Sequence, residues 1–151
     1  LDELDRVKPL IMENIGFASL VRGSDDDFRH IFSAVDGRAA FAHVQQCGCP
    51  MLAYTRNSDG VEFLAPGCHL SLPVPPIDPV STIGAGDAFN AGIIYAILLH
   101  TPLPQESSSL SGLPWQLILE AAIRFSEDVC MSLDNYISPE FAKTLNPSNP
   151  V

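Results

Sequence analysis

"STIGAGDAFNAG", residues 81–92, sets three residues no larger than alanine ahead of a carboxylate and then runs into an apolar stretch that continues to Leu99. Gly84, Ala85 and Gly86 leave the first-turn amides of the expected helix within reach of a ligand. Aligned peptide dipoles add positive potential there, so the turn reads as an anion site. Asp87 sits inside it as an ionised carboxylate, ready to orient or deprotonate a hydroxyl. That pairing suits phosphoryl transfer, in which amides cradle the moving group while a carboxylate directs the attacking oxygen. The same residues also read as a tight helix entry with Asp87 as a plain cap. Two other phosphate motifs are absent: no lysine follows the turn as a G-x-x-x-x-G-K-[ST] loop requires, and Phe89 stands where a dinucleotide fingerprint needs a small residue.

The rest of the chain narrows the setting. Its 151 residues are 46% hydrophobic and 17% charged, enough for one ordinary globular core. Eighteen acidic residues against eight basic ones give a net charge of -10, which argues against nucleic acid and anionic membranes as partners. An anionic substrate would have to be held by local donors such as backbone N–H groups. Cys47, Cys49, Cys68 and Cys130 show no finger-like spacing, so free thiols and a cytoplasmic setting are expected, with zinc the weaker reading of the C-x-C pair. The apolar run at 91–99 is far below the ~20 residues of a membrane helix. The opening "LDELDRVKPLIMEN" carries neither an N-cap nor a turn, and the chain reads as a fragment of a longer one.

Strands and helices interleave, which predicts an α/β fold. "FASLV" (17–21) is short and apolar, as a buried strand would be. Ser24 then caps a helix whose first turn holds three aspartates and whose inner face carries Phe28, Ile31, Phe32 and Val35. Residues 37–48 form a second helix stopped by Gly48. "PMLAYT" (50–55) and "VEFLA" (61–65) form a hairpin across the turn "RNSDG", and "CHLSLPVPP" continues extended, its prolines confining it to a sheet edge or a linker. The helix from Gly86 to Leu99 is apolar nearly all round and should be buried on several sides. Residues 101–112 form a polar loop, after which Ile118, Ala122, Phe125 and Val129 mark one face of another helix near Pro114. The strands at 17–21 and 50–55 should be parallel neighbours joined by the helices between them.

The opening stretch resembles the C-terminal signature of the ribokinase-like sugar kinases, the pfkB carbohydrate kinases, whose usual form is D-T-T-G-A-G-D-x-F-x-A-G. The resemblance implies a ribokinase-like three-layer α/β sandwich, of which residues 1–151 are the C-terminal, nucleotide-binding and catalytic half. It also implies that Asp87 is the catalytic base for a sugar hydroxyl and that Gly84, Ala85 and Gly86 form the anion hole. "FASLVRGSDDDF" is similar to the family's strand followed by N-x-x-E or S-x-x-E, which implies that Ser24, at the nucleotide, and Asp27, at the metal, organise phosphate and Mg2+ through water; the same two residues also read as a capping box. "TRNSDG" resembles the T-x-G-x-x-G nucleotide loop, placing Thr55, Asn57 and Gly60 near the ATP phosphates, with Asn57 able to take the left-handed backbone of the glycine it replaces. Ser81 stands where many members carry an aspartate tied to a monovalent-cation site, and Ile83 replaces a threonine, which leaves potassium activation open.

The implied function is an ATP-dependent phosphotransferase acting on a sugar or nucleoside, with a homo-oligomer as one arrangement. The competing readings are a non-catalytic nucleotide-binding relic and an interaction fragment. Nothing in residues 1–20 resembles the family's sugar-binding region or lid, and in-line positioning with water excluded contributes roughly 7–11 kcal/mol to such reactions. Residues 1–151 alone should therefore bind nucleotide weakly and phosphorylate no sugar. Sugar-dependent ADP release by that piece at anything near an ordinary ~10 per second would overturn this expectation.

Overall fold

Backbone pairing and capping together explain how these residues fold in the computed structural model, which describes residues 3–101 and 110–145. The chain divides into two compact units, residues 1–74 and 75–151. The first opens with helix α1 (Glu3–Phe17), followed by β1 (Val21–Ser24), α2 (Asp25–Phe32), α3 (Gly37–Gln46), β2 (Leu52–Thr55), β3 (Val61–Ala65) and β4 (Cys68–Leu72). The four strands form one sheet in the order β1-β2-β3-β4. β1 pairs in parallel with β2, Val21 opposite Leu52 and Ser24 opposite Thr55, and the other two pairings are antiparallel. The parallel crossover through α2 and α3 is the one the sequence predicts, and of the two placements open to the proline-flanked segment, edge or linker, residues 68–72 take the edge.

One face of this sheet is covered by helices. Ile15 of α1, Phe28 and Phe32 of α2, and Ala40 and Val44 of α3 close over Leu52, Tyr54 and Leu64 in a single apolar cluster. Phe28 stacks on Phe32 and tilts against Tyr54, each at a ring separation of 5.9 Å.

Three sequence expectations shift here. The first strand is Val21–Ser24, not 17–21: Phe17 ends α1 and is 83% exposed, while the ladder to β2 selects a segment containing arginine, glycine and serine that no hydrophobic pattern marks. α1 itself is unforeseen. Its inward stripe of Leu4, Val7, Ile11 and Ile15 was present in the sequence, but Pro9 and the missing cap hid the period. Val35 is no part of the buried face, because α2 stops at Phe32 and Ser33 turns left-handed (φ 54°), which leaves Val35 86% exposed.

In the second unit, α4 (Ala85–His100) packs against α5 (Trp115–Cys130), and a short α6 (Pro139–Thr144) follows. α5 buries Ile118, Ala122, Phe125 and Val129, as its sequence period predicts. Ala88, Phe125 and Val129 form the cluster's centre, with Tyr95 and Phe141 ringed around Phe125 at 5.6 and 5.2 Å. α4 does not bury several faces. Ala88, Phe89, Gly92, Ile93 and Ala96 are inside, whereas Ile94 and Leu98, four residues apart on one face, are more than half exposed. The polar loop expected over 101–112 lies outside the described residues except at its ends.

The α4–α5 contact is close because Gly92 has no side chain: a Cβ there would fall 2.6 Å from Ala122 Cα and 3.1 Å from Phe125 Cγ. Gly92→Ala should therefore lower stability by ~1–3 kcal/mol through overpacking, although alanine is the better helix former. Urea unfolding of the intact protein would check it, and a stabilised variant would refute the packing argument.

Candidate active site

The predicted residues fall in two sets, one in each unit. In the second unit the chain approaches α4 along an anchored path, with Val80 and Ser81 N–H both donating to the Cys130 carbonyl at 2.8 and 3.3 Å. The Ser81 hydroxyl accepts from Ile83 N–H at 3.2 Å, a local turn made by the residue that stands at the family's aspartate position. Gly84 is the N-cap of α4, with φ 84° and ψ -9°, a left-handed conformation that favours glycine. Asn135 packs its Cα and Cβ 3.4 Å from where a Gly84 Cβ would stand.

Because the cap has no side chain, none of its atoms covers the first-turn amides. Ala85 N–H turns back to the Thr82 carbonyl at 3.3 Å, which leaves Gly86 and Asp87 as the amides facing out of the helix start. Asp87 lies in this first turn and its side chain is exposed. The outward donors are thus the Gly86 and Asp87 amides, beside an exposed carboxylate, whereas the expected Gly84-Ala85-Gly86 set includes an Ala85 amide that is already bonded. Ser126 was not foreseen. Its hydroxyl donates to the Ala85 carbonyl at 2.7 Å, tying α5 to the start of α4. Nothing in the sequence sets it apart from the other polar residues of that helix, Gln116, Glu120, Arg124, Glu127 and Asp128.

In the first unit, Ser24 and Thr55 are register partners at the ends of parallel β1 and β2. Thr55 is buried; its hydroxyl accepts from Arg22 Nη2 at 3.1 Å and makes a long 3.5 Å bond to the Gly23 carbonyl. The loop that follows holds Asn57 at φ 48° and Gly60 at φ 105°. Asn57 thus takes the left-handed backbone expected of it. Gly60 is fixed doubly, since a Cβ would also collide with the Leu72 carbonyl oxygen.

Ser24 and Asp27 form a complete capping box. Asp27 N–H donates to Ser24 Oγ at 3.1 Å, while Ser24 N–H and Oγ donate to Asp27 Oδ2 at 2.9 and 2.7 Å. The shorter carboxylate therefore still closes the box. Among the described residues no three histidine, cysteine, aspartate or glutamate side chains group closely enough to hold a metal ion. Asp27 Oδ2 already accepts two hydrogen bonds, and a magnesium ion that takes most of its ligands from phosphate and water needs only one or two protein carboxylates.

The four thiols form no disulfides, and burial pushes the Cys49 and Cys130 thiols up, so both stay protonated packing groups. No helix among the described residues is long and apolar enough to cross a membrane.

The chain is a mixed α/β structure with a glycine-led helix start beside an exposed aspartate, and comparison with known proteins gives its class. The family profile described as pfkB family carbohydrate kinase matches residues 1–124, and the chain belongs to that family. Aminoimidazole riboside kinase of Salmonella typhimurium is 27% identical over 93 residues, covering 62% of this chain and 29% of that protein. The structure of the Salmonella enterica enzyme with aminoimidazole riboside and an ATP analogue superposes over 95% of this chain and 47% of its own, with a TM-score of 0.69 at 20% identity. A putative ribokinase II from E. coli with ATP and Mg2+ gives a TM-score of 0.74 at 14% identity, over 95% of this chain and 44% of that one. The fold is therefore ribokinase-like, and the chain spans about half the length of the structures it matches or less.

Replacing the capping hydroxyl tests the local reading. Ser24→Ala should cost ~1 kcal/mol of stability by removing one partner of the box. Ser24→Thr should restore it, both read by chemical denaturation of the intact protein. An alanine variant of unchanged stability would show that the box contributes nothing.

Proposed function

We propose that this chain supplies the nucleotide-binding and phosphoryl-transfer part of an ATP-dependent kinase for a sugar or nucleoside. The observation that carries the reading is the start of α4: a left-handed Gly84, no cap side chain, and an exposed Asp87 in the first turn. Family membership and the ATP-bound relatives support the same assignment.

In this reading the Gly84-Ala85-Gly86 turn aims the start of α4, with its Gly86 and Asp87 amides, at the moving phosphoryl group, stabilising negative charge as it develops. Asp87 accepts the proton of the acceptor hydroxyl and points the oxygen at phosphorus. Thr55, Asn57 and Gly60 hold the nucleotide phosphates from the β2–β3 loop. Ser24 contributes to the nucleotide side, and Asp27 to a water-bridged Mg2+. The ion, when bound, neutralises phosphate charge; the protein's part is to place the donors around it. The unpaired thiols accord with a cytoplasmic protein.

Asp87→Ala in the intact protein should leave ATP affinity nearly unchanged and lower turnover ~100- to 10,000-fold, because the carboxylate acts on the acceptor and not on the adenosine. Coupled ADP release over a panel of sugars and nucleosides, with ATP binding measured by calorimetry, separates the two effects. Turnover above half that of the unaltered protein would remove Asp87 from the mechanism.

A further inference from the structure

Arg56 is the cation of the β2–β3 loop, yet its side chain folds back instead of extending from it. Its Nη2 donates to the Asp59 carbonyl at 3.2 Å, enclosing Asn57 and Ser58. Its Nε lies 3.4 Å from Glu62 Oε1, an ion pair without hydrogen-bond alignment. The main chain repeats the closure: Arg56 N–H donates to the Gly60 carbonyl at 2.9 Å, and Asp59 N–H to the Arg56 carbonyl at 2.8 Å. Glu62, on β3, exposes only 15% of its side chain, and its second oxygen lies 2.9 Å from His69 Nε2 on β4. One carboxylate thus holds the loop's cation with one oxygen and the edge strand with the other.

We propose that Glu62 is a positioning residue for the nucleotide: acting through Arg56, it fixes the 55–60 loop in the shape that receives the ATP phosphates. This rests on the assignment of Thr55, Asn57 and Gly60 to the nucleotide made above. A chain with net charge -10 would attract phosphate better with Arg56 extended, so folding that cation onto Glu62 gives up direct attraction. What it secures is order. Asn57 occupies a left-handed conformation that is unfavourable for a residue with a Cβ and persists only when its surroundings hold it. The Arg56–Asp59 bond spans that residue, and the guanidinium fork can reach a carbonyl and a carboxylate together with little further loss of freedom. Because Glu62 is mostly buried, its charge is also costly to leave unpaired, which keeps the arginine in place.

The rival arrangement has Arg56 leave Glu62 and bind phosphate itself, and the two predict opposite signs for one variant. If Glu62 positions the loop, Glu62→Gln in the intact protein should raise KM for ATP about five- to tenfold, that is ~1–1.4 kcal/mol, with kcat changed by less than about twofold. Arg56→Gln should do the same, and the double variant should be no worse than Arg56→Gln alone, since the two residues act in series. Mg-ATP titration calorimetry would read affinity apart from turnover, and denaturant unfolding would confirm that each variant is folded. Should Glu62→Gln fail to fold, Glu62→Asp keeps the charge but withdraws it from Arg56 and should raise KM in the same direction. An unchanged or lowered KM in Glu62→Gln, with normal ATP binding by the unaltered protein, would overturn the inference and leave the nucleotide assignment standing. Absence of ATP binding in the unaltered protein would overturn both.

Discussion

A left-handed backbone at Gly84 is the constraint on which the entry to α4, and with it the proposed chemistry of the second unit, depends. It turns the chain into α4 without placing a side chain over the first amides, so helix direction and access to those amides are set by one residue. The surroundings hold that turn: Asn135 packs beside Gly84, Ser126 bonds the Ala85 carbonyl, and the strand of chain before it hangs from the Cys130 carbonyl. Gly92 then lets α4 approach α5 closely enough for those bonds to form. Small residues at 84, 85, 86 and 92 therefore have two effects, an uncovered start of the helix and close packing farther along it.

The first unit solves a related problem with a sheet. Parallel pairing of β1 and β2 brings Ser24 and Thr55 level at the ends of their strands, and the loop after Thr55 turns through two positive-φ residues. The capping box at Ser24 and Asp27 and the Arg56–Glu62 pair are both polar closures within a few residues of the expected phosphate contacts. The Asp27 and Glu62 charges are thereby engaged by backbone and hydroxyl donors in one case and by cationic side chains in the other, as the proposed nearness of a polyanion would require.

Much of this was legible in the residues themselves. Ser24 with three aspartates announced the start of α2, the alternating "VEFLA" gave β3 to the residue, the apolar run at 86–99 placed α4 within a residue of its bounds, and the apolar period at Ile118, Ala122, Phe125 and Val129 marked the buried face of α5. The motif at 81–92 led to the family that the profile match then showed. Left-handed geometry at Asn57 was readable from its chemistry, because a short polar side chain tolerates that region.

What the sequence determined by itself was local: caps, turns and periods are settled by neighbours within about one helical turn or one hairpin. Tertiary structure decided the rest. β1 is Val21–Ser24 because the ladder from Leu52–Thr55 reaches those residues, although they carry no strand pattern. α1 exists despite Pro9 because Ile11 and Ile15 find the cluster around Phe28 and Phe32. Val35 and Ile94 are outside, and Arg56 is folded back, because burial and ion pairing depend on partners that only the folded chain brings within reach.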